Sequence, residues 1–117
     1  MTSAHIDKLV ELIGTARDGA LLRFSLGNEY VKLEDFERAA ASLRAAVQMD
    51  PGYSAAWKLL GVALDRSGRP EQALEAYRQG ISVAEGKGDR QAAKEMTVFA
   101  RRLAKTLTSG AKPGADP

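Results

Sequence analysis

The chain has 117 residues, 44% of them hydrophobic, with 17 basic and 15 acidic side chains and a net charge of +2. That size and balance fit one folded domain, and so small a basic excess gives no charge argument for nucleic acid even at a pI near 9.0. Cysteine is absent, which excludes disulfides, thiolate nucleophiles and zinc–thiolate sites together, and a cytoplasmic protein is expected.

Asp7, Lys8 and Glu11 interrupt any apolar run in the first twenty residues, which argues against a signal peptide. No stretch is long and apolar enough to cross a bilayer, so no membrane partner is expected. Met1 to Ala4 are expected to fray. Ile6, Leu9, Val10, Leu12 and Ile13 recur at helical spacing and predict a helix from His5 to about Thr15, within an N-terminal segment 1–19. Asp18 is placed to cap a second helix, Ala20 to Lys32, with Leu22, Leu26, Gly27 and Tyr30 inward. Asp35 is placed to cap the third, which runs to Met49 on a stripe of Phe36, Ala39, Ala40, Leu43, Ala46 and Val47. Asp50–Pro51–Gly52 ends it, because proline biases the residue before it away from the helical region. The fourth helix spans about Tyr53 to Arg66, with Ser54 as candidate cap. After the turn Ser67–Arg69, Pro70 opens the fifth, where its missing N–H does no harm. That helix is predicted to reach about Ala84 and to break at Glu85–Gly88. The last helix, about Asp89 to Leu107, carries Ala92, Ala93, Met96, Phe99, Ala100, Leu103 and Leu107 on one stripe. The tail 109–117 is rich in small and breaking residues and is expected to be disordered. No strand is predicted.

Gly27 and Gly61, Ala39 and Ala73, and Ala46 and Gly80 are all 34 positions apart. A fixed period of this length marks a stacked helical repeat. Small residues suit the points where paired helices come closest, and a helical glycine costs about 1 kcal/mol against alanine, so closer packing must offset it.

Trp57, Leu60, Gly61, Leu64, Ala73, Tyr77 and Gly80, and earlier Leu26, Gly27, Tyr30, Ala39, Leu43, Ala46 and Pro51, resemble the tetratricopeptide repeat. Arg23 stands where the first unit would carry Trp. Glu85 stands where the second would close on Pro. The resemblance divides the chain into units at 20–53 and 54–87, with segment 88–108 in register for a third. Lys94–Glu95 fall there where Leu–Gly is usual, which fits a solvating cap. Segment 1–19 falls where the second helix of a preceding unit would lie and is read as the other cap. The implied architecture is all-α, a right-handed superhelical stack of antiparallel helix pairs. The whole also resembles small stand-alone bacterial proteins of this class.

The resemblance implies a partner protein or peptide on the concave face of the first helices. The family's groove positions map to Leu21, Phe24, Asn28, Val31 and Lys32, then to Ala55, Lys58, Val62, Asp65 and Arg66. Helical spacing supports part of this, since Phe24, Asn28 and Val31 lie off the Leu22–Leu26–Tyr30 stripe. The plainer alternative has Phe24 packed on the first helix and the charges simply solvated. A carboxylate clamp of the kind some members use is incomplete: Asn28 matches, but Phe24 and Leu59 replace a lysine and an asparagine.

Two further roles stay open. Arg90, Lys94, Arg101, Arg102 and Lys105 give the last helix a basic side that could meet phosphates. No aromatic residue alternates with these charges, so nucleic acid is the lesser reading. Homodimerisation would follow if Met96, Phe99 or Leu103 were exposed. Catalysis has little to work with. His5 is the sole histidine and sits near the terminus, and no Ser–His–Asp set, metal-ligand cluster or strand-borne phosphate loop can be drawn. The expectation is a non-enzymatic module with no cofactor and no metal.

Overall fold

The computed structural model describes residues 3–109. They form six helices: α1 (Ala4–Glu11), α2 (Ala20–Lys32), α3 (Phe36–Met49), α4 (Ser54–Arg66), α5 (Pro70–Lys87) and α6 (Arg90–Ser109). There is no strand among the described residues.

Several helix ends differ from the sequence reading. Ser3 caps α1, its Oγ accepting from the Ile6 N–H at 3.1 Å, so Ser3 and Ala4 are ordered where fraying was expected. Met1 and Thr2 lie outside the described residues. The first helix stops at Glu11, short of Thr15, because Leu12 to Asp18 fold into successive turns with Gly14 at φ +81°. Asp18 does not cap α2. That position is Gly19, with no side-chain cap bond, and the Asp18 carboxylate is occupied elsewhere. Nor does Ser54 cap α4, since it is the first helical residue and Tyr53 precedes it. Asp35 and Asp89 cap as read, accepting from the N–H groups of Arg38 and Ala92, both at 3.2 Å.

The fifth helix runs on through Glu85 and Gly86 to Lys87, past its expected end. The stop is Gly88, left-handed at φ +75°, while the Asp89 N–H reaches back to the Ala84 carbonyl at 2.8 Å. A glycine inside a helix costs propensity but does not end it. A left-handed residue does, by satisfying the last carbonyls. The expected disordered tail begins at Ser109, which closes α6; the remainder, 110–117, lies outside the described residues.

Hairpins α2–α3 and α4–α5 repeat each other in detail. Both turns close with the same bond, Asp35 N–H to Tyr30 carbonyl and Arg69 N–H to Leu64 carbonyl, each at 2.9 Å. Inside each hairpin a glycine faces a large side chain. A Cβ on Gly27 would collide with Leu43, one on Gly61 with the Tyr77 ring, and one on Gly80 with Met96 and the Trp57 Cβ. The main core runs from Ala39 to Leu103. A smaller cluster of Ile6, Leu22 and Leu26 holds α1 against α2. Met96 and Leu103 are buried and Phe99 is half-buried against this core, so α6 does not expose the apolar stripe that homodimerisation would need.

Curvature follows from which helices meet. The first helices approach one another closely, α2 with α4 and α4 with α6, whereas the α3 and α5 backbones stay more than 8 Å apart and are bridged by long side chains, Arg44 donating to Gln72. Close approach on one side and divergence on the other bends the stack, with α2, α4 and α6 on the inner side.

Candidate functional site

The nine candidate residues and Ala55 lie on α2 and α4, and the structure places them in different settings. On α2, Leu21 is 70% exposed. Phe24 is half-buried in the main cluster and stacks on the Tyr53 ring, centroids 4.9 Å apart. Its neighbour is thus Tyr53 at the mouth of α4 rather than the first helix. Asn28 and Val31 are half-buried, Val31 against the core. Lys32 is exposed and pairs with Glu29 on its own helix at 3.0 Å.

On α4, Ala55 is exposed. Lys58 reaches across to α6 and pairs with Glu95 at 3.1 Å. Arg66 lies 4.7 Å over the Phe36 ring and also reaches Glu34 at 3.4 Å. Such contacts fix these cations in place while leaving N–H groups free for a ligand.

Val62, Asp65 and Arg66 come together. They line a depression of about 160 Å³ between α4 and α6, with Tyr77, Phe99, Arg102 and Leu103 completing it. Tyr77 and Phe99 form its aromatic floor, centroids 5.6 Å apart and rings tilted by 49°. Burial first, then the Asp65 charge, pushes the Tyr77 phenol above its ordinary range, with Arg102 acting in the opposite sense. The phenol therefore stays neutral and offers an O–H. An apolar floor with one carboxylate and two guanidiniums at its rim can seat an apolar side chain and hold a carboxylate or backbone groups beside it. The α2 candidates do not line this depression.

The sequence reading missed Tyr77, Phe99, Arg102, Leu103 and Glu95. A signal existed: the 34-residue offset carries Asp65 onto Phe99, and the last helix had been set aside as a cap. Among the described residues no three histidine, cysteine or carboxylate side chains gather as a metal site, and no helix is long and apolar enough to cross a membrane.

A family model for the tetratricopeptide repeat matches residues 24–94. The chain belongs to the tetratricopeptide-repeat family. A TPR repeat-containing protein of Pseudomonas aeruginosa is 47% identical over 103 residues, 88% of this chain and 98% of that one. A Bordetella parapertussis protein of known solution structure is 40% identical, covers 92% of this chain and 94% of its own, and superposes with a TM-score of 0.74. A heat-shock protein cognate co-chaperone of Aspergillus fumigatus is 32% identical over 97% of this chain, which spans 33% of that larger protein. The all-α repeat stack read from the 34-residue period is thus the fold of the family, and the chain is a small member of it.

Proposed function

We propose that this tetratricopeptide-repeat chain is a protein-interaction module that holds a peptide or protein segment on the concave side of α2, α4 and α6. The observation carrying this reading is the depression between α4 and α6, where Val62, Tyr77, Phe99 and Leu103 give an apolar seat and Asp65, Arg66 and Arg102 ring it. Asn28 on α2, whose side-chain amide makes no hydrogen bond within the described chain, extends the surface with donors and an acceptor for a backbone. The likeness to a co-chaperone supports a role in binding other proteins. The units at 20–53 and 54–87 form the binding body. The segments 1–19 and 88–108 cap it, the latter also walling the seat. The module is non-enzymatic and acts in the cytoplasm.

Peptides selected from a random library on the immobilised chain test the reading. Titrated against Val62→Ala and Arg102→Glu, a selected peptide should lose about tenfold or more in affinity, and against Gln48→Glu on the outer helix α3 it should lose none. Equal affinity for all of these would overturn the concave seat.

A further inference from the structure

Charge is segregated along this chain. Among the described residues, the ion pairs use basic residues no later than Arg69. Beyond it, Arg78, Arg90, Lys94, Arg101 and Lys105 have no ion-pair partner among the described residues. Arg90, Lys94 and Arg101 line a trough of about 690 Å³ on the far flank of α6, with Val98 in its wall and Glu85 its one acid. A shallower hollow between α5 and α6, lined by Arg78, Ile81 and Ala104, shares Thr97 and Arg101 with it, so the two adjoin.

This flank has the position of a helix-packing face. Leu64, on the matching turn of α4, is 1% exposed, in the core with Ala73 and Tyr77 of α5. Its counterpart 34 residues on, Val98, is 50% exposed, because α6 packs on α4 and α5 and no helix among the described residues covers this flank. The buried Leu60 of α4 becomes Lys94, and Ser67 becomes Arg101. An apolar anchor is kept while cations replace its neighbours one turn either way.

We propose that this flank docks an amphipathic helix of a partner protein, its apolar stripe on Val98 and its acidic margins against Lys94, Arg101, Arg90 and Lys105. Charge complementarity selects this occupant. A second copy would bring the same cations face to face, and like charges in contact oppose association. Nucleic acid would use the cations, but it gains nothing from an aliphatic centre and finds no aromatic face in the trough on which to stack a base. The site lies apart from the concave seat and does not depend on it.

The test uses the full chain and a labelled amphipathic peptide of about 18 residues, five helical turns, with a leucine stripe and glutamate margins. Fluorescence anisotropy should give saturable binding, with affinity falling about tenfold or more in Lys94→Glu/Arg101→Glu and several-fold in Val98→Ser, whose charges are intact. Val62→Ala should leave it unchanged, which separates this site from the concave one. These three substituted flank positions are exposed, so circular dichroism should read the same helicity in every variant. No binding, binding indifferent to Val98→Ser, equal binding of a lysine-margined peptide, or tighter binding of a random DNA duplex that the double variant abolishes would each overturn the proposal. So would a dimer mass in light scattering that the double variant alters.

Discussion

Arg23 and Trp57 occupy matching positions 34 residues apart and tether equivalent loops, each the one before its own helix, by different chemistry. The Trp57 indole N–H donates to the Pro51 carbonyl at 2.8 Å. The Arg23 guanidinium donates twice to the Asp18 carboxylate, through Nε and Nη2, each at 2.9 Å. Both side chains reach back from the first turn of their helix to the segment that precedes it. Trp57→Phe keeps an aromatic ring but removes the donor and part of the packed indole, and should cost at least about 1 kcal/mol, read as a lower denaturant midpoint at unchanged m-value.

The Asp18–Arg23 pair predicts a pH effect. Hydrogen bonding from Arg23 first, and from the Gly14 N–H second, holds the Asp18 carboxyl at about 2, below its ordinary 3.8. A group whose pKa is lower in the folded state stabilises the fold above its unfolded value and loses that contribution as pH falls through the folded one. The stability gap between the native chain and Asp18→Asn should therefore be widest near neutrality. It should close between about pH 4 and pH 2, measured by urea unfolding across that range.

Two glycines inside helices, Gly61 in α4 and Gly86 in α5, should respond in opposite directions. Gly61 lies against Tyr77, whose Cδ1 would sit 2.6 Å from an added Cβ, so Gly61→Ala should destabilise by roughly 1–3 kcal/mol through overpacking. Gly86 is helical and exposed, with nothing within 4 Å of where a Cβ would stand. Gly86→Ala should stabilise by about 0.5–1 kcal/mol from propensity alone. Thermal melts of the two variants should move apart on either side of the native chain.

The two hairpin turns make a further pair. Gly68 adopts φ +81°, and its counterpart Glu34 adopts φ +58°, a conformation that strains a residue with a side chain. Glu34 contributes only an exposed contact to Arg66 in return. Glu34→Gly should raise stability by about 0.5–1 kcal/mol. A loss of that size would mean that the Arg66 contact matters more than the strain.

What the sequence revealed was periodic, and what it concealed was local. The 34-residue offset placed Gly27, Gly61 and Gly80 where helices touch, because close approach demands small residues whatever the surroundings. Helix ends were less legible. Asp18 looked like a cap but serves Arg23, a choice made by geometry that residue type does not encode. Gly86 and Gly88 look alike in sequence, and only the second adopts the left-handed conformation that stops α5. The concave seat was half visible: Val62, Asp65 and Arg66 came from the repeat pattern, while Phe99 and Arg102 were hidden because Lys94–Glu95 broke the pattern earlier in the same helix.

The most direct test of the account follows backbone amide shifts of the full chain by NMR while a library-selected peptide is titrated in. The account predicts that the perturbed amides cluster on the inner side, around Asn28, Val62, Asp65, Arg66, Phe99 and Arg102, with α3 and the outer side of α5 unmoved. Shifts confined to α3 and α5, or spread evenly over all six helices, would contradict it.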